Sequence, residues 1–225
     1  GIAIQIKDKE NFDLLSVVEM NPNKYPYFLE SSSRGNELNR YSIIFYKPQV
    51  LLVKNSANVE FLKDFDKLWN KNKVEQDKMI YEGNHTPFYG GWFIYLGYEI
   101  AKEVEKKIVT PNSPFLLPDA FAARVNTSII YDHVKRILIL TSDKDFYSED
   151  FDDVLSDLDK AKFKQESLNS KGSVKIFSKG TSIEHQTQVK SCIDYIYQGE
   201  IFQANLSRLW RFKVDNGLTD VDIYR

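Results

Sequence analysis

Gln203, Asn205 and Ser207 recur at every second position of the segment GEIFQANLSRLWRF. On a strand, that spacing puts three neutral hydrogen-bonding side chains on one face, opposite Phe202, Ala204 and Leu206. Such a row suits a surface made to hold something polar. On physics alone the favoured reading is a solvated or hydrogen-bonded sheet face, since antiparallel sheets often leave one face wet. A second group joins Glu30, Ser31 and Ser32 to Leu38, Asn39, Arg40 and Tyr41. A carboxylate, hydroxyls, a guanidinium and a ring would clamp a zwitterion with a flat side chain, the arginine taking its carboxylate. A surface ion pair with a turn is the other reading, and on the residues alone both stand.

Other chemistries find little support. His85, His133 and His185 share no H-x-x-x-H spacing and no cysteine partner, so an ordinary transition-metal site is not indicated. His133 and His185 are expected in solvated positions. No G-x-S-x-G, Walker loop or G-x-G-x-x-G occurs. Gly90–Gly91 reads as close backbone packing at a strand start. The single cysteine, Cys192, reads as a small buried hydrophobe. These 225 residues yield no catalytic and no metal-binding candidate.

Local signals predict the elements that must hold these groups. Thr181 and Glu184 have capping-box spacing. Val189, Cys192, Ile193 and Ile196 follow at i, i+3, i+4, i+7, and Gly199 stands where a helix takes a left-handed stop. The period then changes to two, predicting a strand over 201–214. Upstream, strands are expected at 2–6, 27–31, 41–46 and 50–54, with helices over 11–20 and 59–69 and a long polar connection over 71–86. A buried strand at 92–98 should lead into a helix over 99–107. Pro111, Pro114 and Pro118 then force an extended crossing. A hairpin at 124–131 and 134–141 turns around Asp132–His133, and a helix spans 151–164. Strands interrupted by helices at irregular intervals, with hairpins in place of regular βαβ units, define an α+β chain.

Composition narrows the partners. Thirty basic residues against 32 acidic give a net charge of −2, without the basic excess of a nucleic-acid binder. No apolar run reaches the length of a membrane span, and the first residues lack a signal-peptide layout. A lone thiol fits a reducing, cytoplasmic setting.

Four segments in order carry a family resemblance. They are PYFLESSS (26–33) with RYSIIFYKP (40–48), TPFYGGWFIYLGYEI (86–100), LPDAFAARVNTSIIYDHVKRILILTS (117–142) and GEIFQANLSRLWRF (199–212). The last resembles GD-I-(F/Y)-Q-x-N-L-(S/A)-x-R-F, a signature of the chorismate-utilising enzymes. Within that family the chain looks most like component I of aminodeoxychorismate synthases, because Q-A-N-L-S places Asn205 where anthranilate synthases usually read Q-V-V. Anthranilate synthase component I is the alternative branch. A non-catalytic amino-acid-binding or docking module is a third reading.

The resemblance implies large antiparallel sheets packed face to face with flanking helices. It covers about half of the family protein: an N-terminal region over 1–142, a helix and linker over 143–180, and the start of the chorismate-binding region over 181–225. The remainder is expected after Arg225. The implied reaction exchanges a hydroxyl of chorismate for an amino group, in the aminodeoxychorismate branch giving 4-amino-4-deoxychorismate for folate and para-aminobenzoate synthesis. Ammonia would come from a glutamine amidotransferase subunit, and Mg2+ would be held by glutamates outside these residues. The branches' P-I-K-G-T and P-I-A-G-T motifs are both absent here. The resemblance also makes Glu30, Ser31, Leu38, Asn39, Arg40 and Tyr41 a pocket for tryptophan, with Leu38 and Asn39 departing from the usual Tyr-Ser.

Overall fold

The computed structural model describes residues 2–6, 12–31, 39–55, 60–73, 86–111, 113, 115–143, 149–161, 172–214 and 218–224. The chain divides into two compact units, Gly1–Glu166 and Ser167–Arg225.

Unit 1 is α+β. Its first sheet runs in the order β1 (Ile2–Ile6), β8 (Ile137–Ser142), β7 (Thr127–Asp132), β3 (Tyr41–Tyr46), β2 (Tyr27–Leu29). A second sheet has the order β4 (Gln49–Lys54), β6 (Ala120–Val125), β5 (Gly91–Leu96). Every pairing is antiparallel. Strand alternation sends Ile44, Tyr46, Ile129, Leu138 and Leu140 to one face of the first sheet. There they meet Leu14 and Val17 of helix α1 (Leu14–Met20) and Phe151, Val154 and Leu158 of helix α4 (Glu149–Lys160). Full burial of one such side chain is worth about 1.5–3 kcal/mol. Lys24 ties the strand-side loop to α4, its ammonium lying 2.8 Å from Asp153 and 2.6 Å from Asp157. Tyr46 donates to the same Asp153 at 2.6 Å. Lys24 first, then Tyr46, holds the Asp153 carboxyl well below the ordinary carboxylate range.

The other face of the first sheet packs on the second through rings. Tyr27 lies on Phe93 with centroids 4.2 Å apart and planes 3° from parallel, and Phe45 stands edge-on to both Phe88 and Phe93 at 5.3 Å. Beyond the second sheet, helix α2 (Phe61–Lys71) covers Ala120 and Ala122 with Phe61, Leu62 and Phe65. The layers run helix, sheet, sheet, helix.

Several expected elements differ. The strand predicted over 124–131 is two strands. It ends at Val125 in the second sheet and restarts at Thr127 in the first, with Asn126 at the crossing. A sandwich corner is made where a strand changes sheets, and local sequence carries no sign of which sheet it joins. The hairpin turn falls on 133–136, with Arg136 at φ 54. The strand expected to be buried at 92–98 is an edge strand, and Ile94 and Leu96 on it are exposed. In place of a helix over 99–107 there is a 3-10 turn, Tyr98–Ile100, and a short helix α3 (Ala101–Val104). Only Ile100 there is buried, so a longer helix would have no core to face, and helices draw most of their stability from such packing. Most of the polar connection over 71–86 lies outside the described residues, as do Val59 and His85.

Unit 2 contains β9 (Val174–Ser178), α5 (Ser182–Tyr197), β10 (Arg211–Val214) and α6 (Asp220–Tyr224). The capping box on α5 forms as the spacing requires, and Gly199 takes φ 76. None of the described residues in this unit is buried. The expected apolar stripe of α5 is correspondingly open: Val189, Ile193 and Ile196 are exposed, and Cys192, expected to be buried, is half-exposed. The predicted strand over 201–214 is strand only at Arg211–Val214, paired with β9. A strand exists through its ladder, and no described residue pairs with 201–210.

Candidate functional site

Because Leu29 of β2 lies opposite Ile43 of β3, the chain leaving β2 at Glu30–Ser31 runs back along Arg40–Ser42. Ser31 fastens the two segments. Its N–H donates to Ser42 Oγ at 3.0 Å and its hydroxyl donates to the Tyr41 carbonyl at 2.7 Å. Tyr41 in turn pairs in register with Asp132 at the end of β7. Arg40 Nε and Nη2 both donate to Asp132 Oδ2, at 3.0 and 2.6 Å, and the guanidinium stands 4.9 Å over the Tyr41 ring.

Asp132 is the organising charge of this cluster, its side chain only 2% exposed. Its second oxygen, Oδ1, accepts the N–H groups of Val134 and Lys135 at 3.0 Å each and so shapes the hairpin turn. Burial alone would raise its carboxyl. The bonds from Arg40 and the turn N–H groups outweigh that and hold it below the ordinary carboxylate range. Burial raises the Tyr41 hydroxyl, with the nearby Arg40 charge opposing.

The pleat divides the expected clamp. Tyr41 packs with Ile43 and Ile130 on the face toward the second sheet. Ser42 turns the other way, where its Oγ lies 2.7 Å from His133 Nε2, and the imidazole stands edge-on to Tyr131 at 4.8 Å. His133 was expected to be solvated. It is half-buried because the β3–β7 register brings it beside Ser42, and His185 is half-buried as well.

Ser31, Arg40 and Tyr41 therefore come together, with Glu30 exposed beside them and Asn39 half-buried; Leu38 lies outside the described residues. The arginine expected to take a ligand carboxylate already holds a protein one, so a ligand would compete with Asp132. Ser42, Asp132 and His133 were not anticipated as members of the cluster. The alternation of Ser42 with Ile44 and Tyr46 placed it on a face, but only the register showed what it meets.

Gln203, Asn205 and Ser207 lie in unit 2, all exposed, in the irregular segment that precedes β10. The predicted shared strand face is not formed, because 201–210 has no ladder partner among the described residues. Arg208 anchors the segment by donating to the carbonyls of Lys179 and Gly180 at 2.6 and 3.1 Å. Among the described residues no group of three or more His, Cys, Asp or Glu side chains could hold a metal ion. No described helix is long and apolar enough to cross a membrane.

With a helix-covered antiparallel sandwich and this polar cluster in view, comparison with known proteins gives one answer. The family model for chorismate binding enzymes matches residues 25–225, and the chain belongs to that family. An anthranilate synthase component I-like protein of Synechocystis sp. is 27% identical, across 63% of this chain and 28% of the relative. The chloroplastic anthranilate synthase alpha subunit 1 of Oryza sativa subsp. indica is 24% identical, across 93% of this chain and 43% of the relative. The crystal structure of anthranilate synthase component I from Streptococcus pneumoniae matches with a TM-score of 0.56 at 19% identity, covering 100% of this chain and 52% of that one. That match supports the α+β fold. The chain spans less than half the length of these two curated relatives and about half of the solved structure.

Proposed function

We propose that this chain serves a chorismate-aminating synthase of the anthranilate synthase component I kind. The observation that carries the reading is the family match over 25–225, joined to relatives named as anthranilate synthases. Those names favour anthranilate as the product, supplied with ammonia by a glutamine amidotransferase subunit. One observation favours 4-amino-4-deoxychorismate instead: Asn205 in Q-A-N-L-S. Mg2+ would neutralise substrate carboxylate charge as the hydroxyl leaves, on ligands outside the described residues. In the same reading Glu30, Ser31, Leu38, Asn39, Arg40 and Tyr41 bind tryptophan, and Arg40 would exchange part of its bond to Asp132 for the ligand.

The test uses the full-length protein containing these residues, with chorismate, Mg2+ and ammonium. Anthranilate fluorescence would support the main reading. Release of para-aminobenzoate after addition of a 4-amino-4-deoxychorismate lyase would support the other. Formation of neither product would overturn both. Calorimetry with tryptophan against the protein and its Ser31→Ala variant tests the pocket, and tight binding that Ser31→Ala leaves unchanged places the ligand elsewhere.

A further inference from the structure

A cavity of about 500 Å³ opens in unit 1 at the end of α2. Its size lies within the range of small-molecule sites. One wall is aromatic. Phe65 holds two indoles, Trp69 tilted at 6.3 Å and Trp92 edge-on at 5.2 Å, and Trp69 and Trp92 both line the cavity together with Phe88. Trp69 is 46% exposed, an unusual amount of open indole surface for a side chain already packed in a ring cluster.

The floor is polar and neutral. Arg124 pairs with Asp143, with side chains 13% and 8% exposed, and also donates to the Gly91 carbonyl at 2.8 Å. Gly90 lies directly on this pair. Its φ is +98, and a Cβ there would come within 2.8 Å of Asp143 side-chain atoms. The Gly90–Gly91 backbone thus closes over a satisfied ion pair. That leaves Lys73, exposed at the rim, as the cavity charge with no carboxylate partner among the described residues.

We propose that this cavity binds a planar aromatic acid. The indole wall offers a face on which a flat ring stacks, and Lys73 attracts a carboxylate while disfavouring a cation on the same rings. The floor pair contributes hydrogen-bonding polarity without net charge.

Trp69, Trp92 and Trp210 are the three tryptophans of the chain, and only the first two line the cavity. Fluorine NMR of the 5-fluorotryptophan-labelled chain, titrated with indole-3-acetate, therefore carries its own control. The expected result is saturable movement of the Trp69 and Trp92 resonances with Trp210 unmoved. Benzylamine and cyclohexanecarboxylate should act more weakly, the first for its charge and the second for its lack of a flat ring. Lys73→Gln should weaken binding about threefold, as an exposed ion pair allows, and Trp69→Ala should weaken it about tenfold. Both side chains are exposed, so neither variant threatens the fold. The proposal is overturned by unmoved resonances at about 10 mM, where even a millimolar site is mostly filled. Equal response to benzylamine, or equal affinity in both variants, would overturn it as well.

Discussion

Helices α2 and α5 begin in opposite ways. α5 is capped from within its own sequence: Thr181 Oγ1 accepts the Glu184 N–H at 3.2 Å, and the Glu184 carboxylate reaches back to the Thr181 N–H at 3.4 Å. α2 has Glu60 at its cap position, without a side-chain cap bond. Its first two N–H groups, of Phe61 and Leu62, donate instead to the two oxygens of Glu103 on α3, each at 2.8 Å. Lys54 of β4 completes the arrangement at 2.7 Å from Glu103. Yet the self-capped helix buries nothing among its described residues, whereas α2 buries Phe61 completely. A helix start can be written locally or supplied by a distant side chain. In α2 the second kind also ties the helix start to α3 and, through Lys54, to β4.

This contrast is sharpest where a buried charge depends on it. Glu103→Ala would remove both donors' acceptor and the carboxylate that Lys54, with its side chain 8% exposed, holds at 2.7 Å. The expected loss is about 3 kcal/mol in urea unfolding, and a loss below about 1 kcal/mol would mean that α2 starts unaided. Burial would raise the Glu103 carboxyl, but Lys54 and then the two N–H groups hold it below its ordinary value. A depressed folded pKa gives stability that is full above the unfolded value of about 4.3 and lost as pH falls through the folded one. The acid limb of the stability curve should shrink in the Glu103→Ala variant.

Arg40→Ala tests a second carboxylate of unit 1, the buried Asp132. Asp132 would keep its two turn N–H donors, so about 2 kcal/mol is expected. If Arg40→Ala and Asp132→Asn act additively in a double-mutant cycle, the pair is not coupled. The carboxyl of Asp132 is likewise depressed, so this contribution also fades as pH falls through its folded value.

Effects in unit 2 should be smaller and local. Thr181→Ala should cost about 1 kcal/mol, seen as faster hydrogen exchange in the first turn of α5 with the unit 1 transition unchanged. A fall in unit 1 stability would show that the two units unfold together. Cys192→Ser should change stability by no more than about 0.5 kcal/mol, and the native thiol should react readily with a disulfide reagent. A thiol that reacts only on unfolding would contradict its half-exposed position.

Sequence periodicity located much of the fold. Strand 41–46 falls where alternation puts it, and α5 begins and stops at Thr181 and Gly199 as its cap and glycine demand. The candidate cluster was legible in part. Ser31, Arg40 and Tyr41 do meet, but the residues that engage them, Ser42 and Asp132, follow from a register that no local window contains. The strand over 201–210 failed for the same reason in reverse: its alternation is real, and the ladder it needs is not supplied by the described residues.

By itself the sequence determined the local content of the chain. It set where helices and strands carry an apolar face, the capping box of α5, the α+β class, and the ordered segments that place the chain among the chorismate binding enzymes. The structural features among these follow from nearest-neighbour geometry along the backbone, and the family placement from resemblance of the segments. Only the tertiary structure decided that Asn126 divides one expected strand between two sheets, that Glu103 caps α2, that Asp132 holds Arg40, and that Gly90 closes over Arg124 and Asp143. Each joins groups distant in sequence, and their chemistry becomes visible only when packing has removed the water between them.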